Sequence, residues 1–102
     1  MNDEEVVRAA DQIVRAAWFE EMLRCRTVMH EAVQSAYDYQ EAARKFLKAA
    51  LHDGGADSVA AAWQSVHDSD EVVRRNRAAA ERLLPVIERE LLACAAQSES
   101  DH

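Results

Sequence analysis

The stretch 3–51 contains neither glycine nor proline, and this absence constrains the fold more than any other feature of the chain. The stretch is dominated by Ala, Glu, Gln, Arg, Leu and Met, which lose little entropy in a helix. Asn2 and Glu5 have the spacing of a capping box, so the helix is expected to begin near Asp3. Apolar residues recur at steps of three or four without a break in phase, which predicts one long amphipathic helix over 3–51. The predicted stripe comprises Val7, Ala10, Val14, Trp18, Met22, Cys25, Met29, Ala32, Ala36, Tyr39, Ala43, Phe46 and Ala50.

The second half of the chain begins at a turn over 52–57, where Gly54 and Gly55 are expected to supply the positive φ values that end a helix. A short helix capped by Asp57 or Ser58 is predicted over 58–67, and a polar run separates it from a last helix over 69–96. Pro85 lies inside that last helix and predicts a kink, because proline lacks a backbone donor. The tail 97–102 is expected to fray.

These elements predict an all-α chain with one domain over 1–102. The first helix is about as long as the two returning helices together, which indicates an antiparallel helical hairpin. A small four-helix bundle is the alternative, either because Asp38 and Glu41 also have capping-box spacing and mark a break near 35–38, or because two hairpins pair. The stripe follows a strict heptad from Met22 onward, and a thin two-helix core favours a homodimer. The residues predicted to mediate self-association are Met22, Cys25, Met29, Ala36 and Ala43.

The net charge is -7 at pH 7, from 19 acidic and 12 basic residues. Such a field repels a phosphate backbone and favours a basic partner. The main basic concentration is Arg74–Arg77, directly after Asp68, Asp70 and Glu71, where a recognition helix would need a positive N-terminus. We expect these arginines to pair with carboxylates of the first helix or of a partner, with nucleic-acid contact as the lesser alternative.

The sequence also bears on location and chemistry. No stretch approaches the roughly 18 apolar residues of a membrane span, and the acidic start lacks the features of a signal peptide, so we expect a cytoplasmic protein without membrane contact. Cys25 and Cys94 are far apart, without CxxC spacing, and are expected to be reduced and buried. Met22, Cys25, Met29 and His30 could offer soft ligands to Cu(I), but Met and Cys at seam positions are ordinarily core. With no paired catalytic groups, we expect no enzymatic activity, metal or cofactor.

These exclusions favour a small bacterial protein that masks or inhibits a basic protein, such as a nuclease toxin or a nucleic-acid-handling effector. Its size, acidity and helicity are similar to those of bacteriocin immunity proteins, a class related in role to antitoxins, although no motif is shared. A self-associating helical scaffold or regulator is the alternative. Phe19 and Tyr37 fall off the apolar stripe and are either anchors for the partner or part of a second packed face within the bundle. The predicted partner-binding residues are Phe19, Glu20, Glu21, Glu31, Tyr37, Asp38 and Glu41.

Overall fold

Two long helices make up the structure. The computed structural model describes residues 2–100, in which α1 spans Asp3–Asp53 and α2 spans Ala56–Ser100. Residues 2–100 contain no strand, so the predicted all-α class is confirmed. Two compact units divide the chain: unit one comprises Met1–Val28 and Leu83–His102, and unit two comprises Met29–Arg82.

Helix α1 is continuous, and the alternative break near 35–38 does not occur. The predicted N-cap is confirmed, because the Glu5 backbone N–H donates to Asn2 Oδ1 at 2.8 Å. Asp38 is not a cap; its Oδ1 accepts a hydrogen bond of 3.0 Å from Gln34 Nε2 on the preceding turn. The capping-box spacing at Asp38 is therefore part of an uninterrupted helix.

Helix α2 is also continuous, so the prediction of a short helix over 58–67 followed by a separate helix is wrong. Ser69, expected at the junction, is fully buried, and its hydroxyl donates to the Val66 carbonyl at 2.8 Å. Asp68 is exposed and accepts a hydrogen bond of 2.8 Å from Gln64, one turn earlier. The polar run therefore continues the helix, with its charged members outside. Residues 97–100 are helical rather than frayed, and residues 101–102 lie outside the described residues.

The turn between the helices consists of Gly54 and Gly55 alone, which is shorter than the predicted 52–57. Neither glycine adopts a positive φ, so the conformational role expected for them is wrong. Position 54 requires glycine because there is no space for a Cβ atom. A Cβ there would lie 2.7 Å from the Ala50 carbonyl oxygen and 3.1 Å from Ser58 Cβ, whereas a Cβ on Gly55 would meet nothing within 4 Å.

Pro85 lies within α2 without ending it. Because proline has no N–H, the carbonyl of Glu81 loses its usual helical donor. The boundary between the two units in α2 falls between Arg82 and Leu83, in the turn that precedes Pro85. The kink itself stays a prediction.

The core of unit two is a seam of small residues between antiparallel segments of α1 and α2. Such residues let two helix backbones approach closely, because little side-chain volume separates them. Asp70 of α2 joins the segments at the edge of the seam, accepting a hydrogen bond from Gln40 at 2.8 Å and lying 3.8 Å from the Arg44 guanidinium. The buried residues are Ala36, Ala43, Ala50, Ala62, Ser69, Val73 and Ala80.

The second row of the α1 seam differs from the predicted one. The half-buried residues Gln40 and Leu47 follow the buried Ala36 and Ala43 at a spacing of four, and half-buried Val33 continues the same row seven residues before Gln40. Tyr39 and Phe46, expected in the seam, are exposed over 41% and 49% of their surface. The helix is therefore rotated so that only one of the two predicted heptad rows faces α2.

Unit one has larger core residues. Met22 is buried, as are Ile87 and Leu91 of α2. Two polar contacts join the helices beside this core: Trp18 Nε1 donates to Glu90 at 3.2 Å, and Arg26 pairs with Glu88 at 3.2 Å.

Candidate interaction surface

The predicted partner-binding residues are divided between the two units. Phe19 is half-buried at a seam position, because it lies three residues before Met22 on the side of α1 that faces α2. Its packing against α2 fits the alternative of a packed face, and its role as an anchor stays a prediction. Glu20 and Glu21 belong to unit one, whereas the other four residues belong to unit two. Those four are Glu31, Tyr37, Asp38 and Glu41, all of them exposed.

The charged side chains in the depression beside Tyr37 are mainly basic. A shallow depression in unit two is lined by Tyr37 and Gln40 together with Arg44, Lys45 and Lys48. Its one carboxylate, that of Glu41, lies 3.1 Å from the Lys45 ammonium. This depression therefore does not fit a cationic partner group.

The predicted self-association residues are largely unavailable to a second chain. Met22, Ala36 and Ala43 are buried against α2, because the α1 seam is used within the chain. Their assignment to a homodimer contact stays a prediction, and within the described chain these residues pack against α2. Cys25 is half-buried and free, with its Sγ 3.9 Å from Glu21 Oε1, and Cys94 is likewise half-buried and free. Met29 is also half-buried.

The start of α1 is the most exposed part of unit one. Every residue from Asp3 to Val14 is exposed, including Ile13 at 70% and Val14 at 66%. Four apolar residues that begin here have the i, i+4, i+7 and i+11 spacing of one helix face, and two valines at i+1 and i+8 adjoin them. We call these six residues the N-terminal apolar face. They are Val6, Val7, Ala10, Ile13, Val14 and Ala17, all of them exposed.

Helical register places the N-terminal apolar face on the side of α1 opposite the seam that Phe19 and Met22 form. The stripe that the sequence predicts through Val7, Ala10 and Val14 is therefore not buried. Val6 and Ile13 were outside that stripe, and their seven-residue spacing is the sequence signal that identifies this face.

Acidic residues bound the N-terminal apolar face at both ends. Asp3 lies seven residues before Ala10, and Glu20 and Glu21 lie seven residues after Ile13 and Val14, so all three continue the rows of the face. Glu20 is exposed and makes no ion pair among the described residues, whereas Glu21 pairs with Arg24. Unit one contains ten acidic and five basic residues, against nine and seven in unit two, so most of the charge excess lies in unit one.

The basic cluster of α2 is paired within its own helix rather than with α1. Arg74 Nε donates to Glu71 at 2.9 Å, Arg75 lies 3.7 Å from the same carboxylate, and Arg77 lies 3.8 Å from Glu81. The hydrogen bond from Arg74 is the main reason that the pKa of Glu71 is lowered from its ordinary value. Local carboxylates thus offset the basic cluster, so it does not present an unbalanced positive patch.

Within residues 2–100, no group of three or more His, Cys, Asp or Glu side chains is arranged to hold a metal ion. Neither described helix has an apolar stretch long enough to cross a bilayer. No known protein family, curated protein or solved structure matches the chain.

Proposed function

We propose that this chain is a non-enzymatic cytoplasmic protein that binds, and thereby masks or inhibits, a basic partner protein. The observation that carries the proposal is the N-terminal apolar face, which is helical, exposed and unpartnered in the described structure. Its aliphatic side chains remain in water in the described structure, so a partner that covers this face would gain the free energy of burying them.

The chemistry of the face specifies the partner. The centre of the face is apolar. Asp3 places a carboxylate at its first end, and Glu20 and Glu21 place two at its other end. An amphipathic helix of this kind suits a hydrophobic groove, in which spaced aliphatic residues act as anchors. Basic residues at both ends of the groove would complement the acidic ends and speed association. A nuclease toxin or a nucleic-acid-handling effector has such cationic surfaces.

We rest this proposal on only two of the partner-binding residues predicted from the sequence. Glu20 and Glu21 stay in the proposed site because they continue the apolar rows. The aliphatic anchors are Ile13 and Val14 instead of Phe19 and Tyr37.

The test is capture of the partner from lysate of the source organism, with the full chain as bait. We expect Ile13→Ser/Val14→Ser to weaken capture at least about tenfold, since each buried aliphatic side chain contributes about 1.5 kcal/mol or more. Glu20→Lys/Glu21→Lys should weaken capture of the partner and make capture less sensitive to salt concentration. The matched control is Asp53→Lys/Glu81→Lys, which makes the same change in net charge but in unit two. Capture by this variant should depend on salt concentration as it does for the unchanged chain. Acidic partners, or capture unaffected by both unit-one variants, would refute the proposal.

A further inference from the structure

A second stripe of α1 in unit two, exposed except at its half-buried first residue Ala32, has the composition of a helix-pairing surface. It lies on the flank of the α1 seam away from Gln40 and Arg44, the residues that contact Asp70. Successive members are three or four residues apart, as in a coiled-coil seam. We call it the Tyr39 face, and it consists of Ala32, Ser35, Tyr39, Ala42, Phe46 and Ala49.

We propose that the Tyr39 face binds the same face of a second copy of this chain, with the two α1 helices antiparallel. This interface is independent of the N-terminal apolar face, which lies in unit one. Because the described chain has only two helices, a four-helix bundle would have to form from two chains in this way.

The order of large and small residues supports an antiparallel self-contact. With the two-fold axis between Gln40 and Glu41, Tyr39 of one copy meets Ala42 of the other. In the same register Phe46 meets Ser35, and Ala32 meets Ala49. Each aromatic side chain thus lies opposite a small residue, which allows the two helices to interdigitate without a clash.

Charge along the rim of the face favours the same register. The row bordering the Tyr39 face carries Glu31 and Asp38 in its first half and Lys45 and His52 in its second. Antiparallel pairing about the same axis places Asp38 of each copy beside Lys45 of the other, and Glu31 beside His52. A parallel arrangement would instead place the two charged rows on opposite sides of the contact, where these pairs cannot form. The charge order therefore selects a second copy in the antiparallel direction.

The Asp38 and Lys45 side chains are free to form such contacts at modest cost. Asp38 is exposed and accepts only the hydrogen bond from Gln34. Lys45 is 75% exposed, and its ion pair with Glu41 lies on the helix surface. Exposed pairs of this kind exchange partners with little loss of free energy.

The test measures the dimer dissociation constant of the full chain by sedimentation equilibrium. Asp38→Lys and Lys45→Asp should each raise it about tenfold, because symmetry replaces two attractive contacts by two repulsive ones. The exchange variant Asp38→Lys/Lys45→Asp should restore dimerisation, since the pairs are re-formed with reversed sign. Trp63→Ala, which removes an exposed aromatic residue outside the face, is the matched control and should leave the constant unchanged.

Zero-length cross-linking of mixed light and heavy isotope-labelled chains gives a second measurement. We expect a peptide joining Asp38 of one copy to Lys45 of the other. A chain that is monomeric at all concentrations would overturn the proposal. So would a dimer that is indifferent to both single variants, or one that the exchange variant fails to restore. Circular dichroism of each variant shows that its helices remain formed.

Discussion

Gln40 and Asp70 hold the register between the two helical segments of unit two. Gln40 Nε2 donates to Asp70 Oδ1 at 2.8 Å, and Arg44 approaches the same carboxylate at 3.8 Å. The seam beside them consists largely of alanine and serine, which slide past one another more easily than large interlocking side chains. A single polar contact between the helices therefore contributes more to register here than it would beside a deeply interdigitated core.

We expect Asp70→Ala to lower the free energy of unfolding by about 1 kcal/mol, because both contacts are lost. Asp70→Asn keeps an acceptor for Gln40 and removes only the charge that Arg44 faces, so it should cost less. Urea unfolding at one protein concentration measures both variants. Equal losses for the two would show that the hydrogen bond contributes nothing.

The two glycines of the turn should respond oppositely to alanine. Gly54→Ala would place a Cβ 2.7 Å from the Ala50 carbonyl oxygen, and we expect a loss of about 1–3 kcal/mol as the turn shifts. Gly55→Ala meets open space at an ordinary φ and should raise stability by about 0.4–1 kcal/mol, since alanine restricts the unfolded chain. Thermal unfolding compares the pair, and the reverse order would contradict the steric account of the turn.

The close helix contact in unit two should not tolerate a larger side chain. Ala62 is 0% exposed, so Ala62→Leu is expected to cost about 1–3 kcal/mol through overpacking. Ala60, two residues earlier, is exposed, and Ala60→Leu should change stability by less than about 0.5 kcal/mol. Chemical denaturation followed by circular dichroism measures this difference. A stabilised Ala62→Leu variant would mean that the seam contains unfilled space.

The carboxyl of Glu71 should titrate below its ordinary range because Arg74 donates a hydrogen bond to its charged form. Since the folded-state pKa is the lower one, this contribution to stability is present above the unfolded-state pKa and is lost as pH falls through the folded-state pKa. Arg74→Gln should move the pKa of Glu71 upward. NMR titration of the Glu71 side chain gives both values, and identical values would remove Arg74 as the cause.

The sequence by itself determined the helical class, the start of α1 after Asn2, and the place of the turn at Gly54 and Gly55. These are local properties, because residues close in the chain decide capping, helix propensity and the near absence of helix breakers. The continuity of α2 through Ser69 also depends on residues close in the chain, but the polar run 67–70 led to the wrong prediction of a break. A buried serine can bond to its own helix, so polarity alone does not mark a loop.

Only the tertiary structure decided which faces of α1 are covered. Residues 3–51 carry apolar side chains on more than one helix face, and periodicity cannot say which of them α2 will cover. The alanine row of Ala36 and Ala43 is buried because small residues permit close backbone approach, so the row through Tyr39 and Phe46 remains outside. The packing partner, which lies far away in the chain, selects among faces that the sequence leaves nearly equivalent.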